Sequence, residues 1–293
     1  VIINDSRRTP HENNEPIYME EEWTARPHKP LLMLYALGQY YNHKHIELSY
    51  EEVREVLKEL LIEYGPPRKS YHPEQPFARL ASDGIWQLNQ AVDLKRLSDK
   101  QLRDAHILAG FTPEVISLLE ADSSLAQSVA TQILEEHFPD TWHEEILEAV
   151  GLEFQLYRRK PRDPYFRDKV LRAYEHSCAV CGFNVRLNRN LIAVEAAHIR
   201  WHQAGGPDRE DNGIALCSLH HKLFDRGVFT ISDQWHLLVS EEAYGTHGFE
   251  EWLMRYHGQP VRSPIRPEYA PRDMFLHWHI REVFKGKSRY IVS

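Results

Sequence analysis

The chain has 293 residues, of which 42% are hydrophobic and 27% charged, and its formal net charge is −8. That length can bury a sizeable core and predicts two domains, while no apolar run reaches the length of a membrane span. The start, VIINDSRRTP, has neither the apolar stretch of a signal peptide nor an initiator Met, so a few residues are expected to precede it.

In chain order, Pro30 to Tyr41 (PLLMLYALGQYY) predicts a buried helix with proline near its first turn. Ser49 opens a second helix, with Ser49 as N-cap and Glu52 at the third helical position, a capping box. Val53, Val56, Leu57, Leu60 and Leu61 follow helical spacing until Gly65-Pro66-Pro67 ends the run. The loop RKSYHPEQP leads into FARLASDGIWQL, where Asp83-Gly84 marks a hairpin turn between two short strands. Residues 99–151 read as several short helices, with Thr141 and Glu144 as another capping box.

Between Leu156 and Pro164 acidic helices give way to YRRKPRDP, which sets the domain boundary: residues 1–155 and 156–293. Tyr165 to His176 predicts a basic helix, Leu191 to Ala197 a short strand ending at His198, and WHQAGGPDREDNG a loop. CSLHHKLFD has helical character, Val228–Ser232 and Trp235–Ser240 form a hairpin around Asp233-Gln234, and DMFLHWHIREVF is a final helix. The fold class is α+β, with a mixed helical and β N-terminal domain.

The negative net charge is unevenly placed. Thr112 to Gln155 holds ten acidic residues and no Lys or Arg, whereas Arg158 to Arg200 holds ten Lys or Arg against four acids. DNA phosphates respond to such a local basic face, not to the overall charge.

All three cysteines lie in one pattern. Cys178 and Cys181 form C-x-x-C, a run of 35 residues follows, and Cys217 and His220 form C-x-x-H. Three thiolates and one imidazole suit tetrahedral Zn²⁺, and four protein ligands leave no open position, so the site is structural. Cysteines committed to one metal fit a reducing cytoplasm. The loop closed by the metal holds a second set: His198 at a strand end, Asn212 in a D-N-G turn and His221 beside a zinc ligand. His220 and His221 are adjacent on a helix, so their directions differ by about 100°, and one can face the zinc while the other faces a second site. Trp201 and His202 read as loop packing or phosphate contacts. A Cys3His site alone would mark a non-catalytic zinc DNA-binding regulator, which stands as an alternative.

The stretches EAAHI, DNGIALC and LHHKLFD, framed by the zinc half-sites, resemble the HNH, or ββα-metal, endonuclease family over residues 165–240. The resemblance implies that His198 is the general base, that Asn212 orients the catalytic His or assists the metal site, and that His221 binds a catalytic divalent cation such as Mg²⁺ or Mn²⁺. Many of these enzymes carry Asp or His just before the first motif His; here Ala197 stands there. Glu195 shares its strand parity and is one substitute, Asp211 the other.

RPHKPLLMLYALG, YHPEQPFARL and SDGIW, in that order, resemble the sulfur-binding domain of Type IV restriction endonucleases that attack phosphorothioated DNA, over residues 15–150. The resemblance implies a modification-dependent restriction endonuclease acting on double-stranded DNA. Sulfur is larger and less strongly hydrated than oxygen, so an apolar socket tolerates it and penalises oxygen. Pro73, Pro76 and Phe77, with the face of Tyr71 or His72, are expected to build that socket, and Arg26, His28, Lys29 and Arg68 to hold the surrounding phosphates. The alternative substrate is methylcytosine DNA, read through a base pocket. Cutting both strands favours a homodimer, and nothing points to a membrane partner.

Overall fold

A computed structural model of the chain describes residues 27–44, 47–122, 124–152 and 164–290. The expected boundary between Leu156 and Pro164 lies almost wholly outside the described residues, and so does Arg26. Among the described residues no helix is long and apolar enough to cross a membrane.

Helix α1 (His28–His43) buries Leu31, Leu32, Leu34 and Leu37, and stops where Lys44 turns left-handed and its N–H returns to Tyr40 O. A short strand, β1 (Leu48–Ser49), leads directly into α2 (Tyr50–Tyr64). Ser49 holds the N-cap position, but its side chain caps no backbone donor, so the expected capping box is not formed. Its backbone instead pairs with a later strand, opposite Leu108. The buried stripe is the expected one: Val53, Leu57, Leu60 and Leu61, with Val56 at its edge.

The FARL segment is helical, not extended. Helix α3 (Glu74–Arg79) runs into a 3₁₀ turn over Leu80–Asp83. Gly84, at φ 77°, ends that turn, and no hairpin forms across Asp83-Gly84. Strand β2 (Trp86–Leu88) pairs antiparallel with β3 (Leu108–Phe111), beyond α4 (Asp99–Asp104), and β1 takes the other side of β3. Helical spacing explains the change: Phe77 and Leu80 turn inward together, as i and i+3 residues on one helical face do.

Helices α5 (Pro113–Ala121), α6 (Leu125–His137) and α7 (His143–Ala149) complete this part. The capping box at Thr141 is also absent, because Thr141 lies in a 3₁₀ turn and Trp142 precedes α7.

The second part starts with α8 (Pro164–Ala173). The run Leu191 to Ala197 is broken at Ala193, at φ 54°. The break separates the exposed hairpin β4 (Val185–Leu187) and β5 (Asn190–Ile192) from β6 (Val194–His198). Strand β6 pairs antiparallel with β7 (Gly213–Cys217), setting His198 opposite Gly213 and Val194 opposite Cys217. Helix α9 (Ser218–Asp225) follows without a break, then the hairpin β8 (Phe229–Ile231) and β9 (Leu237–Val239), α10 (His247–Trp252) and α11 (Asp273–Glu282).

Buried apolar side chains gather in two clusters. One draws on residues 31–152, together with Trp201, Ala204, Trp278 and Val283; the other spans Phe166 to Leu276. The late residues in the first cluster tie the two parts together. Trp201 meets Trp142 edge-on at 4.9 Å and Trp278 at 5.6 Å. Lys285 Nζ donates to Ile62 O at 3.0 Å and to Gly65 O at 3.1 Å, satisfying carbonyls at the end of α2.

Candidate active site

The antiparallel pairing of β6 with β7 brings the metal ligands together. Cys178 and Cys181 lie in the turn after α8, Cys217 ends β7, and His220 is in the first turn of α9. Their ligand atoms all lie within 4.8 Å of one another. Cys217 Sγ is 3.1 Å and Cys178 Sγ 3.7 Å from His220 Nδ1, and Cys181 Sγ is 3.9 Å from Cys217 Sγ. Bonds of about 2.3 Å to sulfur and about 2.0 Å to nitrogen place tetrahedral ligands roughly 3.5–3.8 Å apart. His220 Nε2 lies 2.9 Å from Trp252 O, so it carries the proton and turns the Nδ1 lone pair toward the thiols. Hydrogen bonds from Cys181 and Cys217 hold the Cys178 thiol well below the ordinary thiol range. The four residues fit a zinc ion.

His198 ends β6, and its ring stacks on Phe166 of α8 at 4.0 Å between centroids and 14° between planes. A side chain at Gly213, opposite His198, would put its Cβ 2.3 Å from Val170, so this close approach of α8 needs glycine. His198 Nε2 is 2.7 Å from Asp208 Oδ1, and His202 Nδ1 is 3.5 Å from the same oxygen. Ligating atoms of these three residues lie within 4.8 Å of one another.

Asn212 has no exposed surface. Its Oδ1 accepts from Arg200 N at 2.9 Å, while Nδ2 donates to Arg200 O at 2.9 Å and to Pro207 O at 3.0 Å. The amide thus closes the loop between β6 and β7, and both its hydrogens are used on backbone oxygens. Gly206 lets the loop pass this close, since a Cβ there would lie 1.9 Å from Arg200 O.

His221 is 3% exposed and lies between two carboxylates, with Glu195 Oε2 2.6 Å from Nδ1 and Asp225 Oδ2 3.3 Å from Nε2. Of the two acids considered for the position emptied by Ala197, Glu195 stands beside His221. Asp211 is held instead by Arg209, at 2.5 Å, and by Arg272, at 2.8 Å. His220 faces the thiols and His221 faces Glu195, as a helical turn of about 100° dictates. Glu195 and His198, three residues apart on a strand, leave its opposite faces, toward α9 and α8 respectively.

In the N-terminal part, His28 begins α1 and Lys29 pairs with Asp83 at 2.7 Å. Arg68 is exposed; it reaches Glu282 of α11 at 2.9 Å, and its backbone N–H donates to Tyr71 Oη at 3.3 Å. His72 is exposed, between Ser70 Oγ at 2.9 Å and the buried Glu74 at 3.1 Å. Pro73 and Pro76 are buried at the start of α3. Phe77 has no exposed surface and packs on Tyr50 at 5.0 Å and Trp86 at 6.1 Å, so its ring fills the core and does not face solvent.

The sequence motifs do not include Asp208 or Asp225, which the fold sets beside His198 and His221, and His202, expected in loop packing or a phosphate contact, lies near Asp208. Asp225 was findable, since it is i+4 from His221 on one helix face. Asp208 was not, because only the folded loop brings it back to His198.

Residues 18–155 match the family model of the ScoMcrA-like DNA sulfur-binding domain, and residues 178–232 match that of the HNH endonuclease. Comparison with curated proteins gave no match. Among solved structures, the chain is similar to the sulfur-binding domain of ScoMcrA complexed with phosphorothioated DNA, at 22% identity and a TM-score of 0.38, covering 43% of this chain and 84% of that one. The corresponding SprMcrA complex gives 24% identity and a TM-score of 0.37, covering 43% and 82%. The modification-dependent TagI restriction endonuclease gives 25% identity and a TM-score of 0.30, covering 41% of this chain and 38% of that one. The two family matches follow one another without overlap, and the second contains the Cys3His cluster with His198, Asn212 and His221. The chain therefore joins a ScoMcrA-like DNA sulfur-binding domain to an HNH endonuclease domain.

Proposed function

We propose that the protein is a modification-dependent restriction endonuclease that binds phosphorothioated double-stranded DNA through residues 1–155 and hydrolyses phosphodiester bonds with residues 156–293. The observation that carries this reading is the union in one chain of a DNA sulfur-binding family match with an HNH match that contains both His198, Asn212 and His221 and a metal-ligand cluster.

In this reading Cys178, Cys181, Cys217 and His220 hold a structural Zn²⁺ that fixes β7 and α9. A second divalent cation, Mg²⁺ or Mn²⁺, would bind at His221 and Glu195, and when bound it stabilises charge on the phosphate and on the leaving oxygen. His198 takes a proton from the attacking water, the work of a general base held within reach of the nucleophile. Asn212 keeps the intervening loop in shape.

The basic groups of the N-terminal part suit phosphate contacts: the exposed Arg68 and the half-buried His28 and Lys29, with Arg26 preceding them in the sequence. Tyr71 and His72 offer apolar ring faces for sulfur, and the buried Pro73 and Pro76 shape the wall behind them. Phe77 then supports this wall from the core. A homodimer in the cytoplasm would bring one nuclease site to each strand.

The test is cleavage of one plasmid prepared with and without phosphorothioate, in the presence of Mn²⁺. Cutting restricted to the modified plasmid is expected. Equal cutting of both removes the sulfur reading, and cutting of a methylcytosine plasmid alone replaces it.

A further inference from the structure

The loop between β6 and β7 contributes an acid to the base. The His198 imidazole is held by its place at the end of β6, by the near-parallel stack on Phe166 at 4.0 Å, and by Asp208 Oδ1 at 2.7 Å from Nε2, among other contacts. A carboxylate only accepts, so the short Nε2···Oδ1 contact assigns the ring proton to Nε2 and the lone pair to Nδ1. Asp208 is in turn held by its neighbours. Pro207 O accepts from Asn212 Nδ2 at 3.0 Å and from Arg209 N at 2.9 Å, and Asn212 N donates to Arg209 O at 3.0 Å. The residues on both sides of Asp208 are thus fastened to Asn212.

We propose that Asp208 is the positioning residue of the nuclease site, fixing the tautomer of His198, and that Asn212 acts at one remove by fixing the loop that carries Asp208. The proposal rests on the reading of His198 as general base. As the water oxygen bonds to phosphorus, one water proton passes to His198 Nδ1 and the ring becomes an imidazolium. The bond from phosphorus to the leaving oxygen breaks, and that oxygen takes a proton from solvent. The Asp208 carboxylate stays ionised and faces the positive ring, so it stabilises the charge that the step creates. It touches neither water nor phosphate.

His202 lies close enough to make a competing arrangement, in which His198, His202 and Asp208 together ligate a cation. The two arrangements differ in what His202 does. As a cation ligand it is essential; in the present proposal its side chain, 66% exposed and 3.5 Å from Asp208, is dispensable.

The experiment uses the full-length, zinc-loaded protein and single-turnover cleavage of phosphorothioated plasmid, with His198→Ala as the reference. Asp208→Asn keeps the size but offers an amide, which favours the wrong tautomer. It should lower the cleavage rate roughly 10²–10⁴-fold, the range that a positioned base supplies. The Kd for DNA should be unchanged, and Asp208→Glu should recover part of the rate. In ¹⁵N imidazole spectra His198 should be the Nε2–H tautomer in the wild type and lose that form in Asp208→Asn. His202→Gln should cut at close to the wild-type rate.

An Nδ1–H signature for wild-type His198 overturns the proposal whatever the variants do. So does an Asp208→Asn protein that cuts normally while His198→Ala is inactive. A His202→Gln protein that is inactive and binds one Mn²⁺ fewer overturns it in favour of the cation site. If His198→Ala itself cuts, the reading of the base fails, a separate outcome.

Discussion

Thr141 Oγ1 donates a hydrogen bond of 2.5 Å to Asp225 Oδ2, and the same oxygen lies 3.3 Å from His221 Nε2. A residue just ahead of α7 in the first part thereby reaches the carboxylate behind a candidate metal ligand in the second. Around this contact Lys222 pairs with Glu145 at 2.6 Å, and Arg226 pairs with Glu63 while lying over the rings of Tyr64 and Trp142. Asp225 is buried, so removing its donor leaves a carboxylate short of a partner. Thr141→Val should cost about 1–3 kcal/mol in a urea titration of the full chain. It should also reduce cleavage, because Asp225 then loses one of the bonds that fix it behind His221. Unchanged stability and rate would show that the contact does not hold Asp225.

Cleavage variants should separate by role. His198→Ala should lose roughly 10²–10⁴ in rate with DNA binding intact. His221→Ala should be as inactive and should not be restored by raising Mn²⁺. Asn212→Ala differs, because it removes three hydrogen bonds, to Arg200 N, Arg200 O and Pro207 O, that close the loop from a fully buried position. It should lose several kcal/mol of stability as well as activity, read together by thermal melting and nicking.

Zinc should be part of the fold and not of the reaction. One equivalent should be found by elemental analysis, and Cys178→Ser or a strong chelator should lower the melting temperature sharply, since ligand-set closure contributes directly to folding. Fully folded protein without zinc would refute the assignment.

Acid should destabilise the protein through His279. It is completely buried, with Nδ1 2.9 Å from Thr230 Oγ1 and Nε2 3.1 Å from Phe224 O, and its ring stacks on Phe224. Burial pushes its pKa down to about 3 from the ordinary 6.5. Between those values the unfolded chain binds a proton that the native state refuses. Stability should therefore fall as pH drops from about 6.5 toward about 3, by up to about 1.4 kcal/mol per pH unit from this group. His279→Gln should flatten that part of the curve while lowering stability at pH 7, measured by urea midpoints at pH 7 and 5.

Sulfur discrimination should reside in the rings of the half-buried Tyr71 and the exposed His72 and not in the charges. Lys29→Ala and Arg68→Ala should weaken binding to modified and unmodified duplexes alike and flatten the salt dependence. Tyr71→Ala and His72→Ala should instead bring the ratio of the two affinities toward one, read by anisotropy at fixed salt. Phe77→Asp is uninformative on this point, because a charge in that core site would unfold the surrounding helices.

The zinc cluster was legible because tetrahedral coordination restricts both ligand type and spacing, and Cys178, Cys181, Cys217 and His220 satisfy both. Helix α2 was legible from its apolar period, α1 from an apolar run with proline near its first turn, and α9 from the helical character of CSLHHKLFD. The capping boxes at Ser49 and Thr141 do not form, because tertiary structure decides the outcome: the Ser49 backbone pairs with β3 and its hydroxyl caps no donor, and the Thr141 hydroxyl bonds Asp225. The FARL segment misled because a D-G pair ends a 3₁₀ turn as readily as it makes a hairpin, and Gly84 supplies the same positive φ to both. Asp208 was beyond reach, since its approach to His198 depends on Asn212 folding the loop back.

The bond from Lys285 to the carbonyls of Ile62 and Gly65 spans more than two hundred positions of chain. Trp278 reaches back in the same way, against Trp201 and the cluster that contains Trp142. During synthesis the end of α2 must therefore wait for Lys285 to emerge before its last acceptors are met. Contacts of such long range form late, because chain closure is entropically costly. Until Lys285 arrives, the nascent N-terminal half carries carbonyls at the end of α2 that only water can satisfy.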